Sequence, residues 1–318
     1  MAALGTPMAL RVAVTLGLPD RMREGASLDR LAADLNASPL ALDLLLNHLV
    51  TLDIIERTET GYRTTEFGAT LYSDADNELT NFLHLGLAGG RAELAFVELL
   101  HSINTGESGY TRRYGKDFWA DLGENPRLRA SFDKQMTDRF RDQVPGIIAG
   151  FDWSRFPAIV DVGGGLGTLL AAILVAHQGV RGNLVDLDPT ATEAMDTFRS
   201  FEVADRADVT PGSFFDPLPS GADAYLLCDI LHDWDDEQAH RILARCLEAM
   251  PPHGRILVVE PVGGRRASTE FDLAMLAIFG GRERRVEEFR ALAAANDLVL
   301  DTVVDLTEQR CLLEFSRA

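Results

Sequence analysis

The stretch "AIVDVGGGLGTLLAAI", residues 158–173, carries the reading of the fold. A short apolar run ends at Asp161. Four glycines then fall within five positions, at Gly163, Gly164, Gly165 and Gly167, and an apolar helical pattern follows. A strand that turns tightly into a helix brings its backbone and the helix N-terminus against a ligand.

Strands and helices alternate onward from this turn. "GNLVDLD" reads as a second strand, "ADVTPGSFF" as a third, "ADAYLLCDIL" as a fourth and "RILVVEPV" as a fifth. Between them, "PTATEAMDTFRSF" has Thr190 and Glu193 at capping-box spacing, and "DDEQAHRILARCLEAM" is amphipathic and stops at "PPHG". Helices are expected near 270–280 and 286–296, and a closing hairpin in "LVLDTVVDLTEQRCLLEFS". Such alternation predicts an α/β fold with a doubly wound, Rossmann-like sheet over residues 151–318. Ligands of such sheets sit beyond the carboxyl ends of the strands.

The turn alone leaves the ligand open. Gly163 and Gly165 fit the first two places of the dinucleotide fingerprint GxGxxG/A, but its last place falls on Thr168. Asp186 follows Gly167 by 19 residues and suits the ribose of either NAD or S-adenosylmethionine. The turn begins with an acid, Asp161, and holds no Lys or Arg. A carboxylate favours the ammonium and sulfonium of S-adenosylmethionine over a phosphate.

"LLCDILHDWDDEQ", residues 226–238, leaves the fourth strand at this same edge. Its His232 is the side chain best suited to accept a proton near neutral pH. Glu260, ending the fifth strand, is expected beside it, and Glu283 in "GGRERRVEEF" within reach. A carboxylate next to an imidazole fixes its tautomer and stabilises its charged form.

The first half differs. "SLDRLAADL", with Ser27 as N-cap, then "NASPLALDLLLNHLVTL", with Ser38 as cap and Pro39 at the first helical position, then two short strands around Thr60-Gly61, spell a winged helix over residues 1–85. Those residues hold six arginines against twelve acids, and the second helix has no Lys or Arg. A DNA reader needs cations for phosphates, so this Leu-rich helix is expected in a core or subunit interface. Residues 86–150 read as a helical linker and pocket region, with "GYTRRYGKDFWADLG" (109–123) as a loop. Phe132, Met136 and Phe140 recur at i, i+4 and i+8, a stripe suited to a core or to the wall of an apolar pocket.

Composition sets the remaining bounds. The 318 residues are 46% hydrophobic and carry a net charge of -19, which disfavours nucleic acid and anionic membranes. No apolar run is long enough to span a bilayer. "MAALGTPMALRVAV" has no basic n-region and reads as the start of the fold. Cys228, Cys246 and Cys311 show no metal or CxxC spacing, which suits a reducing, cytoplasmic setting.

Taken with "YGKDFWADL", "FDKQMTD", "GSFFDPLP" and "LHDWDDEQAHRIL", these motifs make the chain resemble the small-molecule O-methyltransferases of the caffeate, isoflavone and hydroxyindole type, in their bacterial, natural-product branch. The resemblance implies S-adenosylmethionine as methyl donor, an aromatic or polyketide-type hydroxyl as acceptor, no metal, and a homodimer made through the N-terminal domain. It implies donor contacts from Asp161, Gly163, Gly165, Asp186, Ser213, Phe214, Cys228, Trp234 and Thr137. His232 would be the general base, steered by Glu260 and Glu283, and Phe132, Met136, Phe140 and Asp233 would meet the acceptor. Two positions depart from the family pattern: Ser213 replaces an acid, and Cys228 replaces a longer polar side chain. Three rival readings are a donor-binding relative with other chemistry such as hydroxylation, an NAD-dependent oxidoreductase, and a winged-helix regulator.

Overall fold

The computed structural model describes residues 4–318, so the first three residues of the N-terminal stretch lie outside the description. The chain forms two compact units. One comprises the chain up to Leu94 together with Trp119–Asp138, and the other Ala95–Phe118 with Arg139–Ala318. Residues 86–150, expected as one linker region, divide between them.

In the first unit, helices Leu28–Leu35 and Pro39–Thr51 precede a hairpin of β1 (Ile55–Thr58) and β2 (Gly61–Thr64). The caps are those anticipated: the Ser27 Oγ accepts from Arg30 N–H, and the Ser38 Oγ from Ala41 N–H, with Pro39 at the first turn. Helix Pro39–Thr51 buries Leu42, Leu46 and Leu49 in this unit's core and leaves Leu40 72% and Leu44 64% exposed. Two such apolar side chains on one face of a helix without Lys or Arg fit a protein partner better than a phosphate backbone.

The second unit is built on seven strands: β3 (Ala158–Val162), β4 (Arg181–Asp186), β5 (Ala207–Pro211), β6 (Ala224–Cys228), β7 (Arg255–Glu260), β8 (Leu298–Asp305) and β9 (Cys311–Arg317). Their order is β5-β4-β3-β6-β7-β9-β8. The first five run parallel, and the closing hairpin adds β9 and β8 antiparallel. Side chains alternate between two buried layers. Val160, Val162, Leu227 and Val258 enter one, while Ile159, Leu184, Leu226 and Leu257 enter the other. Burial on both sides explains why the parallel strands read as near-continuous apolar runs. The order reverses at β3, which pairs with both β4 and β6, so the crevice of the sheet opens where the glycine turn leaves β3.

Two local expectations fail. Residues 109–123 fold as short helices, Gly109–Tyr114 and Phe118–Glu124, rather than a loop. Ser108 caps the first of them, whose fully buried Tyr110 packs its ring 5.3 Å from Phe118, and Phe118 meets Phe279 at 5.2 Å. Aromatic contacts distant in sequence outweigh the local glycines. The capping box at Thr190 and Glu193 is also absent: Thr190 is the first helical residue, it is buried, and the N-cap is Pro189. No described helix is long and apolar enough to cross a membrane.

Candidate active site

Five parallel strands deliver their carboxyl ends to one edge. β3 brings Asp161, β4 Asp186, β5 the segment of Ser213 and Phe214, β6 Cys228, and β7 Glu260. In the turn after β3, Gly163 and Gly165 take left-handed backbone conformations, φ 76° and 58°, which admit glycine without strain. The Gly165 N–H donates to Asp186 Oδ2 at 2.8 Å, and Leu187 N–H to Oδ1 at 2.7 Å, so Asp186 braces the turn from the next strand. Asp161 lies beneath: its Oδ2 is 2.5 Å from where a β-carbon on Gly164 would stand. Its Oδ1 is buried and has no hydrogen-bond partner among the described residues. Burial, with the Asp186 charge adding to it, pushes the Asp161 carboxyl up to about 7.

Aromatic side chains wall the β5 side. Phe214 meets Phe215 at 5.0 Å and Trp234 at 5.9 Å, both edge-on. The Ser213 Oγ accepts the Phe215 N–H at 3.1 Å. Cys228 is a free thiol whose pKa is raised by burial and by the nearby Asp229 carboxylate.

Past β6 the chain makes a single 3-10 turn, Leu231–Asp233, and His232 sits on it, 4% exposed. The His232 Nδ1 is 3.1 Å from Glu283 Oε1, and its Nε2 is 3.5 Å from Asp233 Oδ1. Burial opposes charge on this imidazole, but Asp233, Glu283 and Asp229 outweigh it and raise the pKa to about 10. Glu260 behaves differently from expectation. Its Oε2 accepts the Leu231 N–H at 3.1 Å, and its Oε1 has no described hydrogen-bond partner. Its bond is to the backbone of the histidine turn, not to the ring. Burial pushes its carboxyl up to about 8, against the pull of His232.

Residues that the sequence left unremarked hold this turn. Arg284 is fully buried; it donates to the Leu231 carbonyl at 2.5 Å and the Trp234 carbonyl at 2.8 Å, and pairs with Asp236. Arg282 N–H donates to the His232 carbonyl at 3.0 Å. Gly281 allows that approach, since a β-carbon there would stand 2.0 Å from the His232 carbonyl oxygen. On the other flank Arg310, fully buried, pairs with Asp229, donates to Gln143 and lies over the Phe140 ring. Phe140, expected at the acceptor, is therefore engaged with Arg310. Phe132, Met136 and Thr137 lie in the first unit on helix Pro126–Arg141; Phe132 stacks edge-on against Trp119 at 5.4 Å, and the Thr137 hydroxyl donates to the Asp133 carbonyl.

A glycine turn over a partnerless buried carboxylate, with a carboxylate-bound histidine one turn past β6, suits a cationic donor and the removal of a proton. Comparison with known proteins agrees. Residues 96–297 match the family model described as O-methyltransferase domain, and residues 1–74 the O-methyltransferase dimerisation domain. The chain belongs to the O-methyltransferase family. Among relatives of this O-methyltransferase, 2,7-dihydroxy-5-methyl-1-naphthoate 7-O-methyltransferase of Streptomyces carzinostaticus is 45% identical over 94% of this chain and 91% of the relative. Aclacinomycin 10-hydroxylase of Streptomyces purpurascens is 40% identical over 93% and 82%. Among solved structures, an O-methyltransferase from neocarzinostatin biosynthesis, in complex with S-adenosylmethionine and 2-hydroxy-5-methyl naphthoic acid, superposes with a TM-score of 0.91 at 42% identity. It covers 100% of this chain and 97% of that one.

Proposed function

We propose that this O-methyltransferase transfers a methyl group from S-adenosylmethionine to a hydroxyl of an aromatic or polyketide-type metabolite, with His232 as general base. The observation that carries the reading is the buried Glu283–His232 pair at 3.1 Å, set one turn past β6 beside the glycine turn. The residues present fit the donor. The partnerless Asp161 Oδ1 suits its ammonium group, Asp186 its ribose hydroxyls, and Phe214 with Trp234 its flat purine. Ser213 keeps its O–H free to donate while its oxygen receives Phe215 N–H. Bound S-adenosylmethionine supplies an electrophilic methyl group on a sulfonium centre.

A phenolic hydroxyl with a pKa of ~10 is mostly protonated at neutral pH. His232 Nε2 takes that proton, while Glu283 on Nδ1 holds the tautomer that leaves Nε2 bare. The surrounding carboxylates favour the charged imidazole. A neighbouring cation favours the neutral form, so His232 becomes a base once it faces a cationic donor. The N-terminal domain makes the homodimer, a reading supported by its family match and by the exposed Leu40 and Leu44.

Hydroxylation is the second reading, because a 40% identical relative is named for it. The intact His232–Glu283 pair favours proton removal from an existing hydroxyl. Calorimetric titration with S-adenosylhomocysteine, followed by mass analysis of acceptors incubated with S-adenosylmethionine, separates the two. One site per chain and a gain of one methyl group are expected. Donor binding with incorporation of oxygen instead of methyl would favour the hydroxylase.

The pH profile tests the pair. A raised His232 pKa makes activity rise as pH increases through that pKa. Glu283→Gln removes a charge that raises it, so the rising limb of kcat against pH moves to lower pH by roughly 1–3 units, with a lower plateau because the ring is less well held. An unmoved limb would show that Glu283 does not govern the base.

A further inference from the structure

We infer that Glu260 is a positioning residue that works as a neutral carboxylic acid: its Oε2 receives the Leu231 N–H, and its Oε1 carries a proton that it donates to Glu283 Oε2. This role presupposes the methyl-transfer reading above, in which His232 is the base. Glu260 ends β7, between β6 and β9 in the sheet, and is 0% exposed; Glu283 is 3% exposed. The two carboxyls serve consecutive residues of one turn. Glu260 takes the Leu231 amide at 3.1 Å, and Glu283 Oε1 takes Nδ1 of His232 at 3.1 Å. Each then has one oxygen left over. Both of these, Glu260 Oε1 and Glu283 Oε2, are buried with no hydrogen-bond partner among the described residues. The two groups lie close enough for the Glu283 charge to act on Glu260.

Ionised carboxylates only accept, so two of them make no bond to each other, whereas a protonated one has an O–H to donate. Like-charged carboxyls in one dry site therefore keep a proton on one of them. The surrounding charges point to Glu260 as its holder. Arg310 is paired with Asp229, and Arg284 is engaged by two carbonyls and Asp236. The imidazolium of His232 remains, against Asp233, Glu260 and Glu283. Glu283 touches that ring and Asp233 lies 3.5 Å from it, whereas Glu260 touches only a neutral amide. Burial, joined by the charges of Glu283 and Asp229, raises the Glu260 carboxyl to about 8, with His232 and Arg284 opposing. The neighbouring Cys228 thiol is held neutral by burial as well. A proton on Glu260 Oε1 gives both orphaned oxygens a partner at once. It also fixes the Glu283 carboxylate from its far side, so that Glu283 Oε1 stays on Nδ1, and it leaves one negative charge on the pair instead of two.

Infrared difference spectra of wild type minus Glu260→Gln, taken on full-length protein at pH 7 without donor or acceptor, read the proton directly. The C=O stretch of a carboxylic acid, shifted in D2O, is expected; carboxylate stretches would overturn the inference. In a Glu283→Gln background the same band should change, since its acceptor is then a neutral amide, and an unchanged band would overturn the donation. Kinetics test the role. Glu260→Met loses both bonds and should lower kcat by about 10- to 100-fold, the effect of a small misplacement of a reacting group. Glu260→Gln can accept and donate at the same places and should recover most of that loss. Retained affinity for S-adenosylhomocysteine verifies that each variant is folded. Wild type loses the Glu260 proton as pH rises through about 8, so the kcat of Glu260→Gln relative to wild type should climb there. A flat ratio, or a Glu260→Gln as impaired as Glu260→Met, overturns the inference. If wild type transfers no methyl group at all, the methyl-transfer reading fails instead, and the infrared band still decides the state of Glu260.

Discussion

His232→Ala lowers kcat by ~10²- to 10⁴-fold at neutral pH, the usual contribution of a positioned general base, and leaves the affinity for S-adenosylhomocysteine nearly unchanged. The imidazole hangs on the turn after β6, and the turn is fixed by its backbone: Glu260 receives Leu231 N–H, Arg284 holds two carbonyls, and Arg282 N–H meets the His232 carbonyl. None of these contacts uses the ring, so truncation removes the proton acceptor and spares the loop. The residual rate carries a second signature. Without a base, the acceptor must ionise by itself, so log kcat should climb with pH toward the phenol's own pKa of ~10, and that limb should no longer move when Glu283→Gln is added. Steady-state rates across the pH range, with donor affinity measured in parallel, check both features. Full turnover of His232→Ala at pH 7 would remove the histidine from the chemistry. Loss of donor binding would make its role structural.

The elements of the second unit were legible because each obeys a local rule. Apolar runs mark strands buried on both faces, and Gly163 and Gly165 mark a turn that demands positive φ. Asp161, Asp186 and Glu260 were legible for a related reason: a residue at the end of a parallel strand is placed by the fold itself, and His232 follows one turn past β6. Glu283 lies on no strand, so the residues placed it only within reach of the histidine, and its contact with Nδ1 is set by tertiary packing. What the sequence concealed is the side-chain scaffold. Arg284 and Arg310 are arginines in a strongly acidic chain, and composition marks such residues as surface. Their complete burial follows from carbonyls and carboxylates brought near by tertiary contacts, up to 81 residues away for Arg310 and Asp229. Glu260 shows the same limit. Its position beside the histidine turn was correct, but its bond goes to the Leu231 amide, a distinction set by backbone geometry that no residue pattern records. The helices at 109–123 were hidden because Tyr110 and Phe118 find partners up to Phe279.

Arg310→Met destabilises the protein by about 3–5 kcal/mol, the cost of breaking a buried ion pair by removing one partner. Arg310 is fully buried and Asp229 is 8% exposed at its side chain; Nε donates to Asp229 Oδ1 at 3.0 Å and the guanidinium also serves Gln143 and Phe140. Methionine restores much of the volume but none of the charge, leaving the Asp229 carboxylate in a dry site between β6 and the histidine turn. In the wild type, burial opposes the charge on Asp229, and Arg310 overrides it and holds the carboxyl below its ordinary range. A depressed carboxyl contributes stability that is present above the unfolded pKa of ~3.9 and lost as pH falls through the folded value. The deficit of Arg310→Met should shrink at pH 4, because without Arg310 burial raises the Asp229 carboxyl, which is then protonated there and no longer a stranded charge, while the wild type's stays ionised and paired. Adding Asp229→Asn removes the stranded charge, and the double variant should recover a large part of the loss, since replacing both members of a buried pair is often close to neutral. Urea unfolding of the four proteins at pH 7 and pH 4 completes the cycle. If the two single substitutions instead add, with no coupling between them and no dependence on pH, the pair is an incidental contact and Arg310 acts through its packing on Phe140 alone.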